Sequence, residues 1–187
     1  MAKRGGRKTT VAVRRHRCFV SLDLPAALRD AAVAGQSFLR TKEHDLRYTA
    51  VSNLHLTLKF LGEISPDDRA EVRKRLGLIS PQGVSLRLVR AGCFAPRIVW
   101  LAVHGADELQ RQVDQALEGL FEPERRFMGH ITIARTKGIP DALKMELGDF
   151  VVPVLDCPVS SFSLQESHLS HLGPRYETVA RFALTES

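Results

Sequence analysis

The chain has 187 residues, 44% hydrophobic and 26% charged, which suits one globular domain or two small lobes sharing a core. This composition excludes collagenous, mucin-like and wholly disordered chains, and no apolar run approaches the ~20 residues of a membrane-spanning helix. The formal charge of +6 is unevenly placed: residues 1–17 hold seven Lys or Arg and no acid, leaving 20 basic against 21 acidic residues in the rest.

The high pI therefore belongs to the N-terminal stretch. Residues 1–16 read as a basic, disordered tail able to hold phosphates loosely, and residues 17–187 as a single domain. That stretch contains no apolar segment long enough for a secretory signal. Cys18, Cys93 and Cys157 are odd in number and far apart, with no C-x-x-C pair. They fit a reducing, cytoplasmic setting, each as a small buried hydrophobe.

In chain order, RCFVSLDL (17–24) alternates as a half-buried strand, with Cys18, Val20, Leu22 and Leu24 on one side. Pro25 opens a helix whose Leu28, Ala31, Ala32, Gly35, Phe38 and Leu39 recur at helical spacing. Segments 45–51 and 54–60 read as strands separated by a Ser52–Asn53 turn. Ser65-Pro66-Asp67-Asp68 starts a helix that runs to about Leu78. Strands follow at 84–91 and 97–103, then an amphipathic helix at 106–120. Beyond a charged loop at 122–126 come the strand HITIA, a short helix from Pro140 to Leu147, and strands near 158–167 and 176–184. Short turns between sequential strands favour an antiparallel α+β fold over a doubly wound parallel sheet. No phosphate loop or dinucleotide fingerprint is present.

One pattern occurs twice. Leu54-His55-Leu56-Thr57-Leu58 and Gly129-His130-Ile131-Thr132-Ile133 share His-apolar-Thr-apolar, 75 residues apart. Alternation on a strand puts His55 with Thr57, and His130 with Thr132, on a face opposite the apolar residues. Two such units can divide acid–base work: one imidazole accepts a proton while the other, protonated, donates one. The hydroxyls can meet charge growing on phosphate oxygens. Two histidines without a nearby third ligand make a poor zinc site, and there is no G-x-S-x-G elbow for a serine hydrolase.

The segments NLHLTLKFLGE (53–63), GHITIAR (129–135) and LGPRYETVARFAL (172–184) resemble the RNA 2′,3′-cyclic phosphodiesterases, or 2′-5′ RNA ligases, of the two-histidine phosphoesterase superfamily. The resemblance runs from about Arg17 to Leu184. Gly129 stands where family members commonly carry proline, and the Arg-rich tail lies outside the family pattern.

The resemblance implies a bilobal α+β fold, with two pseudo-symmetric antiparallel sheets and flanking helices around a central cleft. It implies catalytic His55 and His130, and a phosphate held by Thr57, Thr132 and Arg135. It also implies a nucleobase stacked on Phe60, with no metal or cofactor. The expected substrate is an RNA with a 2′,3′-cyclic phosphate end, opened to a 2′-phosphate by a monomer, with His55 as acid and His130 as base. Strict alternation complicates this, because it sets Phe60 and Arg135 on the faces opposite the histidines. Tyr176 reads equally as a core residue. His16, His44, His104, His168 and His171 read as solvated. The rivals are a relative acting on a 2′-5′ oligoadenylate, an ADP-ribose cyclic phosphate or an oligouridine end, and a non-catalytic RNA-end-binding protein.

Overall fold

The protein is described by a computed structural model over residues 15–171 and 173–185. Its elements are β1 (His16–Leu22), α1 (Ala26–Arg40), β2 (Arg47–Tyr48), a 3-10 turn (Val51–Asn53), β3 (Leu56–Ile64), α2 (Pro66–Leu76) and β4 (Val84–Phe94). There follow β5 (Ile98–His104), α3 (Asp107–Ala116), β6 (His130–Arg135), α4 (Asp141–Asp149), β7 (Asp156–Val159), β8 (Ser161–Ser170) and β9 (Gly173–Ala183). The strands form one sheet in the order β7-β4-β5-β6-β3-β1-β8-β9, with β2 added to β6.

Where two sheets were expected, two four-stranded halves are fused into one. The halves, β7-β4-β5-β6 and β3-β1-β8-β9, meet where β3 pairs with β6 through Leu56 and Ile131. Every ladder between named strands is antiparallel. The α+β class read from the short turns holds.

Local sequence accounts for the helices. In α2, Ser65 accepts from the Asp68 backbone N–H, the Asp68 carboxylate accepts from the Ser65 backbone N–H, and Pro66 opens the first turn. In α1 the spaced residues Leu28, Ala31, Ala32, Gly35 and Leu39 are buried, and Phe38 is half-buried. Gly35 of α1 faces Ile133 of β6 and Phe150, where a Cβ would make ordinary van der Waals contact at 3.4 and 3.6 Å. Leu56, Leu58, Ile131 and Ile133 are at most 1% exposed and join one continuous core.

Three expectations change. The strand at 45–51 shrinks to Arg47–Tyr48, because β2 meets only the end of β6 before the chain bends into its 3-10 turn. The boundary of the basic tail at residue 16 also moves. Residues 1–14 of that expected disordered tail lie outside the described residues, while His16 begins β1. Its ring lies 2.8 Å from Glu166, and Arg69 binds the same carboxylate at 2.6 Å. His44 is not solvated either, since its Nε2 is 2.6 Å from Glu146. Among the cysteines, Cys18 and Cys157 are buried and Cys93 is half-buried. Burial pushes the Cys18 thiol up to about 11.

Lys59 is the outlier in the core, 4% exposed in the middle of β3. Its ammonium pairs with Asp114 of α3 and donates to the Glu122 carbonyl at 2.7 Å. Burial alone would raise the Asp114 pKa. Lys59, the Glu124 backbone N–H and the Gln110 amide outweigh it and hold that carboxyl below its ordinary range. A carboxyl depressed on folding stabilises the native state above its unfolded pKa, and this contribution is lost as pH falls through the folded value. Removing one member of a buried pair typically costs ~3–5 kcal/mol, because the other charge is left uncompensated. Asp114→Ala is therefore expected to lower stability to urea by about that amount at neutral pH, and Lys59→Met by clearly less. Equal losses for the two variants would contradict this account.

Candidate active site

The two His-x-Thr segments meet at the junction of the half-sheets. Leu56 faces Ile131 across the β3–β6 pairing, and both are fully buried. Continuing that antiparallel register one residue each way sets Thr57 against His130 and His55 against Thr132. The arrangement has local twofold symmetry about the Leu56–Ile131 pair. Since the paired apolar residues point into the core, all four polar side chains share the other face of the sheet, where each is half-buried.

Both imidazoles are fastened alike. His55 Nδ1 donates to the carbonyl of Asn53 at 2.7 Å, and His130 Nδ1 donates to that of Met128 at 2.8 Å. A carbonyl only accepts, so each Nδ1 carries the proton, and each neutral ring leaves Nε2 unprotonated for chemistry. The Thr57 hydroxyl is 3.0 Å from His55 Nε2. The 3-10 turn, which falls on the turn expected at Ser52–Asn53, supplies the Asn53 carbonyl. It is held by the Asn53 amide donating to the Pro174 carbonyl at 2.7 Å, and the Gln36 amide donates to Thr49 and Ile133 just upstream.

Bulges resolve the difficulty with Phe60 and Arg135. Along β1, Ser21 opposes Thr57, Val20 opposes Lys59 and Phe19 opposes Phe60, so Leu58 has no opposite residue. Along β5, Trp100 opposes Thr132 and Val99 opposes Ala134, so Ile133 has none. Each extra residue shifts the alternation by one. Leu58 and Lys59, like Ile133 and Ala134, are consecutive buried residues, and the fifth residue after each histidine returns to the histidine face. Phe60 is 68% exposed, its ring 6.3 Å from that of Phe19, which in turn lies 4.9 Å from His55. Arg135 is exposed and close enough for its charge to bear on both His55 and Tyr176. Strict alternation thus misplaced both residues, and a bulge is the physical reason in each case.

Other residues of the site carry no recognisable signal in the sequence. Tyr176 of β9 stands edge-on to His55 at 5.2 Å and to Phe19 at 4.9 Å, so it is a site residue rather than a core one. Phe94 stands edge-on to His130 at 5.2 Å. Gly129 tightens the entry to β6, because a Cβ there would lie 2.4 Å from the Val103 carbonyl oxygen.

Known proteins share this arrangement of fold and motifs. Residues 22–100 match the family model described as LigT-like phosphoesterase. The RNA 2′,3′-cyclic phosphodiesterase of Aeropyrum pernix is 36% identical, over 82% of this chain and 91% of its own. That of Escherichia coli K12 is 31% identical, over 91% and 97%. The chain belongs to this family. Among solved structures, a Thermus thermophilus protein superposes with a TM-score of 0.75 at 26% identity, covering 91% of this chain and 99% of that one. Escherichia coli LigT complexed with 3′-AMP gives 0.72 at 28%, with the same coverage.

In this LigT-like site the surroundings of His55 disfavour its charged form. Burial pushes the His55 pKa below the ordinary 6.5; its bond to Asn53 opposes the shift, while the charges of His130 and Arg135 add to it. His55 therefore stays neutral to lower pH than a free imidazole. An NMR titration of the histidine ring protons is expected to place His55 below 6.5, and Arg135→Ala or His130→Ala to move it upward. A value at or above 6.5 in the native protein would contradict this reading.

Proposed function

We propose that this LigT-like phosphoesterase hydrolyses RNA 2′,3′-cyclic phosphate ends to 2′-phosphates by paired-histidine acid–base catalysis, without a metal. The observation that carries the reading is the twofold placement of two identically fastened imidazoles, each two residues before a threonine on the same face, about the Leu56–Ile131 pair. Water attacks phosphorus and the P–O3′ bond breaks. One imidazole Nε2 takes the proton from water, and the other, protonated, gives one to O3′. The Thr57 and Thr132 hydroxyls and the Arg135 guanidinium meet the non-bridging oxygens, and Phe60 stacks on the terminal nucleobase. Strain in the five-membered ring and protonation of the leaving oxygen supply what a Lewis acid otherwise would. Among the described residues, no three His, Cys, Asp or Glu side chains come together as metal ligands.

The roles read from the sequence, His55 as acid and His130 as base, require the bound phosphate anion to offset the downward pressure on the His55 pKa. An RNA 5′-hydroxyl in place of water gives a 2′–5′ linkage by the same steps, and the large excess of water makes this the minor path. The setting is cytoplasmic and the working unit a monomer. No described helix is long and apolar enough to cross a membrane.

With a 2′,3′-cyclic mononucleotide the product is expected to be the 2′-phosphate, at a rate unchanged by EDTA. Loss of rate in EDTA with recovery on adding zinc or magnesium would point to a metallo-enzyme. Replacing His55 or His130 by Ala is expected to cost ~10²–10⁴ or more in rate, and Thr57→Ala or Thr132→Ala up to ~10²–10³. A substrate with a strongly acidic 3′ leaving group assigns the roles, because only the acid-histidine variant regains rate on it. Equal recovery by both variants, or by neither, would refute a division of labour.

A further inference from the structure

A cavity of about 220 Å³ opens beside His55. It is walled by Ser52–Leu54 just before that histidine, by the end of β1, and by side chains of β8 and β9. In the sheet order β6-β3-β1-β8-β9 it therefore flanks His55 on one side, while β6 with His130 flanks it on the other. Phe60 stands five residues beyond His55 along β3, at the opposite end from Ser52–Leu54, and does not line the cavity.

The connectivity of a nucleotide gives this placement a meaning. In a 2′,3′-cyclic nucleotide the phosphate bridges C2′ and C3′. On one side of that edge C1′ carries the base; on the other, C4′ carries C5′ and the rest of the RNA. With the phosphate between the histidines and the base on Phe60, the C4′ side of the ribose turns away from Phe60. It turns toward the flank of His55 where the cavity opens. O3′ sits on C3′, next to C4′, so it leaves on the His55 side. In-line attack then brings water from the His130 side, in agreement with His55 as acid and His130 as base.

The cavity is smaller than the ~300–1,000 Å³ pockets that enclose whole small ligands, so it suits one part of a larger one. The rings of Phe19 and Tyr176 give it apolar surface, and Gln165 and Thr178 bring hydrogen-bonding groups to its wall. Arg29 and Arg181 line it with a single acid, Asp23, which already takes Arg181 at 3.0 Å. The lining is thus aromatic and hydrogen-bonding, with a surplus of positive charge. We infer that the cavity is a subsite for the penultimate nucleotide, the one that precedes the cyclic end. The phosphodiester between the two nucleotides meets the positive charge, and the penultimate nucleoside lies against the aromatic rings and the polar side chains. The inference rests on the phosphodiesterase reading, with the terminal base on Phe60. It adds the substrate class: a strand of at least two nucleotides, read at both.

The test compares hydrolysis of two substrates by the full chain, adenosine 2′,3′-cyclic phosphate and the dinucleotide ApA ending in a 2′,3′-cyclic phosphate. The dinucleotide is expected to have the higher kcat/KM by about tenfold or more, the size of effect that stacking one further base supplies. Thr178→Tyr, which fills the cavity, and Gln165→Ala, which removes its amide, should each abolish most of that preference. Their kcat/KM on the cyclic mononucleotide should stay within about twofold of the unaltered protein, which also shows that the variants are folded. Equal kcat/KM on the two substrates, or a preference that ignores both substitutions, would overturn the subsite. So would a raised KM for the cyclic mononucleotide in Thr178→Tyr, since the terminal nucleoside would then occupy the cavity. Failure of the unaltered protein to open either substrate would instead overturn the phosphodiesterase reading itself.

Discussion

Leu56 opposite Ile131 is the contact on which the site depends. The sheet's two halves are each held by long ladders, β1 with β3 and β8 on one side and β5 with β4 and β6 on the other, but they meet through this pair. Both side chains are fully buried, so the junction is anchored in the core rather than by backbone hydrogen bonding along its length. Because the polar neighbours of an apolar pair must face the opposite way, burying Leu56 and Ile131 turns two histidines and two threonines outward together.

Bulges then widen what the site can hold. An unopposed Leu58 and an unopposed Ile133 give each half-sheet two consecutive core-facing residues. One consequence is that Phe60 and Arg135 reach the histidine face. The other is that Lys59 is turned into the core, where only its pairing with Asp114 and the Glu122 carbonyl makes burial of an ammonium tolerable. The Ala134 position, its counterpart in β6, needs no such partner. An ion pair behind the sheet is thus coupled, through one bulge, to an aromatic ring in front of it.

Fastening and polarity divide the catalytic task. Each Nδ1–H bond to a carbonyl two residues upstream fixes the tautomer and aims Nε2, a role often given to a carboxylate in other histidine sites. A neutral carbonyl holds the ring without adding negative charge, which leaves His55 subject to burial and to the nearby positive charges that lower its pKa. The anionic substrate supplies the opposing charge, so the proton inventory of the pair depends on occupancy, and the pH profile belongs to the pair rather than to either residue.

The repeated His-x-Thr strands, the antiparallel α+β class and most helices and strands were legible in the sequence, because alternation and capping are local. Ser65 to Asp68 closes its capping box within four residues, and the Leu28–Leu39 spacing depends only on helical pitch. Local periodicity has no means of showing where it will break. The bulges at Leu58 and Ile133 exist only relative to the strands opposite them, and the fusion of two sheets into one rests on a pairing across 75 residues. Tyr176 reaches His55 only once β8 and β9 fold back across β1. His16, read as part of a tail, is buried because Glu166 and Arg69 come to it from distant elements. Residue chemistry and its periodic faces were set by the sequence alone. Which faces adjoin, and how each charge is shifted, was decided by tertiary pairing, since opposition and burial belong to two segments at once.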